Sequence, residues 1–119
     1  MQTLHHTVRT LPIDLSGAPA YESLYTSENT TEVRDIKIVY DESTSADAGV
    51  EIRVGKIGSP SFFATFTTQA SMTAGKYTHA ERTNTVLLGN ETLTVECDGG
   101  KTGSGVVSVQ IELNHALTL

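Results

Sequence analysis

The side chains of this sequence that could do chemistry are few and scattered. His79 and Glu81 stand two apart on a stretch with strand character, so they share a face and could begin a metal site. A third ligand would have to come from His5, His6 or His115, and the adjacent His5 and His6 face opposite ways on a strand. Asp41, Glu42 and Asp47 crowd one loop and offer oxygen ligands of the kind that hold Ca²⁺. Their spacing matches no EF-hand, and Gly49 falls in the wrong place. Solvated polar surface accounts for both groups, so no metal and no other cofactor is expected.

Gly100-Lys101-Thr102 has the ending of a phosphate-binding P-loop. The upstream Gly of that motif is missing from Val95-Glu96-Cys97-Asp98, and a strand rather than a helix follows at Val106. Gly103-Ser104-Gly105 lacks the third Gly of a dinucleotide fingerprint and any βαβ setting. No Ser sits in a G-x-S-x-G elbow. There is no Trp, and few aromatics are present to make a sugar platform for a pair of hydrolytic carboxylates. Cys97 is the sole cysteine and lies on the apolar side of its strand, as a small buried hydrophobe would. No catalytic residue emerges, and the chain reads as a binding protein rather than an enzyme.

The elements that carry these residues are strands. Leu93, Val95 and Cys97 alternate with Thr92, Thr94 and Glu96, and Val107, Val109, Ile111 and Leu113 alternate with Ser108, Gln110 and Glu112. Period two means one buried and one wet face. The same pattern puts Ile36, Ile38 and Tyr40 opposite Lys37, Val50, Ile52 and Val54 opposite Glu51 and Arg53, and Phe62, Ala64 and Phe66 on one face. Tyr21–Thr26, Tyr77–Glu81 and Val86–Leu88 add shorter runs. No window has helical apolar spacing; Ala64–Ala74 comes nearest, and its Thr content argues against a helix. About eight short strands without helices imply an all-β fold, an antiparallel β-sandwich or jelly roll.

Residues 1–20 read as an N-terminal arm and residues 21–119 as the sandwich domain. Leu4–Leu11 has strand character with Leu4, His6 and Val8 on one face; Pro12 breaks it, and Ile13–Pro19 is irregular. Such an arm can pack along the edge of its own domain or reach onto a neighbour. In the second case Leu4, Val8, Leu11, Ile13 and Leu15 would supply partner-binding contacts.

The formal net charge of −6, with eight scattered basic residues, argues against a nucleic-acid groove and against docking on an anionic membrane. Met1-Gln2-Thr3-Leu4 has neither the charged nor the apolar region of a signal peptide, so production in the cytoplasm is expected.

Two alternating strands around a Ser/Thr/Ala loop (Ile36–Val54) precede the turn Thr73-Ala74-Gly75-Lys76. The chain closes on Asn90-Glu91-Thr92-Leu93-Thr94-Val95, a Gly-rich loop and Val107-x-Val-x-Ile-x-Leu113. In this the chain resembles the small all-β structural proteins of tailed bacteriophages: head decoration or cement proteins, head fibres and sandwich modules of tails. The resemblance covers about two-thirds of the chain and carries over no catalytic residue. It implies a capsid decoration protein on the outer surface of a virion, binding the major capsid protein and copies of itself, with a trimer as the closed oligomer that fits local shell symmetry. The alternative it implies is a tail, fibre or baseplate module acting in assembly or receptor binding.

Overall fold

The computed structural model describes residues 3–17, 19–28, 30–45, 49–57, 62–80, 86–98 and 104–116. The described residues are all-β with no helix. Ten strands run in order: β1 Thr3–Arg9, β2 Ile13–Asp14, β3 Ala20–Thr26, β4 Thr31–Tyr40, β5 Glu51–Lys56, β6 Phe62–Thr67, β7 Tyr77–His79, β8 Val86–Leu87, β9 Thr92–Cys97 and β10 Val106–Ala116. They form two antiparallel sheets. One has the order β1-β10-β4-β7, with β2 also on β10 and β8 also on β4; the other has the order β3-β9-β5-β6.

Their inner faces enclose one apolar core, as in a β-sandwich. The first sheet contributes Val33, Ile36, Ile38 and Tyr40 from β4 and Val107, Val109, Ile111 and Leu113 from β10. The second contributes Ile52, Val54, Leu93, Val95 and Cys97, with Val50 just ahead of β5. The inward rows expected for β4, β5, β9 and β10 are therefore present. Full burial of each such aliphatic side chain stabilises the fold by roughly 1.5–3 kcal/mol. The outer rows are not uniformly wet: Thr94 and Ser108 are each 1% exposed. The Thr94 hydroxyl donates to the Gly55 carbonyl and the Ser108 hydroxyl to the Asp41 carboxylate.

Among the described residues, three bulges separate the real strands from ideal alternation. In β4, Leu113 pairs Val33 while the next residue, Glu112, pairs Asp35, so Arg34 has no opposite number. The extra residue lets Val33 and Ile36 face the same core, three positions apart. In β6, Gly55 pairs Phe62 and Val54 pairs Ala64. Phe63 is the extra residue, and it is buried in the core, 1% exposed. The expected row of Phe62, Ala64 and Phe66 is thus corrected: Ala64 is buried and Phe66 is half-buried, but the bulge gives the principal place to Phe63. The third bulge, between Ser23 and Tyr25 of β3, skips Leu24.

The stretch 13–19, expected to be irregular, contains β2. Thr10 marks the break between β1 and β2. Its N–H donates to the Val109 carbonyl at 3.0 Å, and its hydroxyl accepts the Val109 N–H at 3.0 Å, so the ladder on β10 closes with a side chain. After Pro12, β2 rejoins the first residues of β10, pairing Ile13 with Val107. A turn at Asp14, whose carboxylate accepts from the Ser16 N–H and hydroxyl, aims Leu15 inward to full burial.

At this end of the sandwich the loops are clamped by polar groups in the core. The Tyr40 hydroxyl, on a ring 1% exposed, accepts the Gln69 N–H at 2.8 Å. The Thr44 hydroxyl donates to the Gln69 carbonyl and accepts the Met72 N–H. Gly105 leads into β10 with φ +150°, and a Cβ there would stand 2.8 Å from the Thr44 methyl and 3.3 Å from Leu15. Gly75, at φ +88°, has open space around it. Gly105→Ala should therefore cost about 2 kcal/mol or more from strain and overlap together, and Gly75→Ala about 1 kcal/mol from strain alone. Urea unfolding midpoints measure the contrast.

Candidate functional site

Two of the segments that carry exposed apolar groups meet beside the β1 edge. The Thr10–Ile13 link and the start of β3 form the two walls of a groove of about 400 Å³, floored by Val95. Leu11 on one wall is 73% exposed and Tyr21 on the other is 56% exposed. The walls are tied together, because the Glu22 carboxylate accepts the Leu11 N–H at 3.2 Å and 3.3 Å to its two oxygens. Pro12 and Pro19 line the same groove and hold both walls extended. Such a site presents apolar surface in a stiff setting. It offers shape and burial to a partner, and no constellation for bond-making chemistry.

The arm residues divide by position. Ile13 and Leu15 belong to the core, 8% and 0% exposed. Val8 is half-buried against the core, and Leu4 occupies a register position opposite His115. Leu11 alone of the five projects fully into solvent among the described residues. Here the arm lies along its own domain as an edge strand, with seven successive pairs onto β10.

Next to the groove, on the outer face of the second sheet, Arg53 gathers three carboxylates. It lies 2.8 Å from Asp98, 3.0 Å from Glu51 and 3.4 Å from Glu96. The hydrogen bond to Asp98, then that to Glu51, holds the guanidinium well above its ordinary pKa. The period of β5 places Glu51 and Arg53 on one face. That Asp98 completes the cluster follows only from the pairing of β5 with β9, which no local pattern announces.

Those residues considered for metal chemistry that the structure describes are not brought together. His79 pairs with Asp35 at 2.9 Å and stands edge-on to Tyr77. Glu81 lies outside the described residues. β1, with His5 and His6, and β7, with His79, are opposite margins of the same sheet, separated by β10 and β4. Three strand spacings put them roughly 14 Å apart, too far to share an ion. His6 points inward, edge-on to Tyr25 at 5.0 Å, and the side chain of His115 lies outside the described residues. Asp41 is engaged by Arg9 at 2.9 Å and by the Ser108 hydroxyl; Glu42 is exposed at its side, and Asp47 lies outside the described residues. Among the described residues no three His, Cys, Asp or Glu side chains are grouped to hold a metal ion. Gly100-Lys101-Thr102 and Gly103 also lie outside the described residues. Ser104 exchanges hydrogen bonds with Ser45, and Cys97 is 2% exposed.

No protein-family model matches the sequence, and no curated relative does. The fold is similar to that of a chain in the cyanophage Pam1 capsid asymmetric unit, with a TM-score of 0.59 and 14% identity over 98% of this chain and 86% of that one. It is also similar to the crystal structure of FLHE, with a TM-score of 0.50 and 14% identity over 98% of this chain and all (100%) of that one. At such identities the likeness is one of fold.

A second charged pair lies at the far end of β5. Lys56 meets Glu91 at 2.8 Å, and the Leu88 N–H also donates to the Glu91 carboxylate. The Lys56 contact, then the Leu88 one, lowers the Glu91 pKa below its ordinary 4.5. A depressed folded pKa contributes stability that is complete above the unfolded value and disappears as pH falls through the folded one. Glu91→Gln should therefore be less stable than wild type at pH 7, with the gap closing as pH falls below 4.5. Thermal melts of both proteins across pH 2–7 read this directly.

Proposed function

We propose that this chain is a non-enzymatic structural protein of a virion, a decoration protein that binds the outer surface of a capsid and stabilises it. Its partners are the major capsid protein and further copies of itself. The observation that carries the reading is the likeness of fold, over nearly the whole chain, to a chain of the Pam1 capsid asymmetric unit. The groove between the arm and β3 supports it. Leu11 and Tyr21 project from a backbone held by Pro12, Pro19 and the Glu22 clasp, so docking would order little that is not already ordered. Many such modest contacts, one per copy, would brace a shell through multivalency. The net charge of −6 keeps an outer module from competing for the packaged nucleic acid.

A second reading has its own observation. On β7, Tyr77 is 56% exposed, Lys37 lies over its ring at 4.7 Å and His79 stands beside it. Aromatic and cationic groups exposed together are the sort of surface a tail, fibre or baseplate module presents to a receptor. On the surface, the head reading makes Leu11 and Tyr21 the contacts, and the tail reading makes Tyr77 and Lys37 the contacts.

Immunogold electron microscopy of particles from the source culture, with antibody against this chain, separates them. Label over the heads supports decoration, label on the tail or neck supports the second reading, and no label on any particle overturns both. On purified heads, the double variant Leu11→Glu/Tyr21→Ser should bind at least tenfold more weakly, at about the level of losing one interface anchor, with an unchanged melting temperature. Undiminished binding would remove the groove from the interface.

A further inference from the structure

We propose that the outer edge of β1 pairs with β1 of a second copy, antiparallel about a two-fold axis through His6, so that the two β1-containing sheets become one. This inference does not depend on the virion reading.

The margins of the two sheets are guarded unequally. An open strand edge is a template for another chain, and natural sheets blunt it with shortness, bulges, Pro or Lys. β7 has three residues and β8 two. β3 is bulged at Leu24, and β6 pairs its neighbour across the bulge at Phe63. β1 has none of these devices. It is seven residues long, holds an uninterrupted register on β10, and contains neither Pro nor Lys. Among the described residues no strand is hydrogen-bonded to its other side; β3 of the other sheet approaches β1 through the His6–Tyr25 contact of the inward face.

The phase of its backbone groups is set. Thr10 donates its N–H to the Val109 carbonyl, so Val8, His6 and Leu4 turn their backbone groups to β10 in the same way. Arg9, Thr7, His5 and Thr3 therefore turn theirs outward. A second β1 can meet that row only with outward residues facing outward residues. About His6, Leu4 falls opposite Val8 of the second copy, His5 opposite Thr7, and Thr3 opposite Arg9. Leu4 and Val8 face each other, His6 meets its own copy at the axis, and Arg9 is opposed by Thr3 rather than by a histidine. Moving the axis to Thr7 sets His5 against Arg9 and His6 against Val8; moving it to His5 sets Leu4 against His6. β1 is thus complementary to itself in one register, which is what an isologous contact requires. Charge agrees. The chain carries −6, yet β1 holds no acid and its Arg9 is paired with Asp41 at 2.9 Å, so this edge brings no carboxylates of its own to face those of the second copy.

Three measurements test the pairing. Sedimentation equilibrium of the untagged chain at about 200 μM, where a micromolar association is nearly complete, should give a dimer. Thr7→Pro removes an outward N–H and leaves the β10 ladder intact, so it should yield a folded monomer with little change in unfolding midpoint. Residue 6 faces its own copy as a non-hydrogen-bonded pair, about 4.5 Å between Cα atoms, within disulfide range. His6→Cys should therefore form a covalent dimer on mild oxidation, and Thr7→Cys should not. A monomeric wild type, a dimeric Thr7→Pro, or equal crosslinking at residues 6 and 7 would overturn the proposal. If Thr7→Pro fails to fold, the crosslinking pair decides the matter.

Discussion

The pairing of β4 with β10 is the constraint on which the remaining structure depends. These are the two longest strands, and they are hydrogen-bonded from Val107–Tyr40 to His115–Thr31. Every other member of their sheet attaches to one of the two: β1 and β2 to the free side of β10, β7 and β8 to the free side of β4. Their inward rows, Val33 to Tyr40 and Val107 to Leu113, make one wall of the core. A one-residue slip between them would turn an entire apolar row to solvent, so the register is held by burial as well as by hydrogen bonds. The bulge at Arg34 belongs to that constraint. It resets the phase of β4 so that residues on both sides of it serve the same core.

From that ladder the placement of the surface features follows. The Arg9–Asp41–Ser108 contacts bind β1, the end of β4 and the outer face of β10 into one polar strap. Thr10 and Pro12 then turn the chain so that Leu11 must stand out of the sheet while Ile13 and Leu15 return to the core. Leu11 is exposed because its neighbours are anchored on both sides. The groove beside it depends on β3, the margin of the other sheet, and joins parts of the chain that the core alone would not bring together.

Much of the fold was legible in the residues. Period two in 93–97 and 107–113 declared strands with one dry face, and the inward residues are the ones the pattern named. Bulges were harder, because an extra residue looks like a break in alternation. The gap from Val33 to Ile36 is such a sign, whereas Phe62-Phe63-Ala64 offers apolar side chains at every position and hides which one is inward. β2 was invisible, since two residues carry no period. The candidate site was legible only in part. Leu11 and Tyr21 are readable as apolar residues, but their meeting depends on the two sheets packing together. Likewise Asp98 joins Arg53 through strand pairing rather than proximity in sequence.

The alignment of β1 with β10 also has a temporal meaning. Arg9 lies opposite Gln110, so the first strand waits for one that is made roughly a hundred residues later. At ordinary rates of synthesis that delay is about 5–20 s, during which β1 and the apolar face of β4 have left the ribosome without their partner. The sandwich closes only after β10 emerges. An interrupted chain lacking β10 is then missing the central strand of a sheet, and it presents bare strand margins to whatever holds or degrades unfinished protein. Long-range closure of this kind acts as a check on completeness, releasing into the folded pool only chains that have been translated through their last described strand.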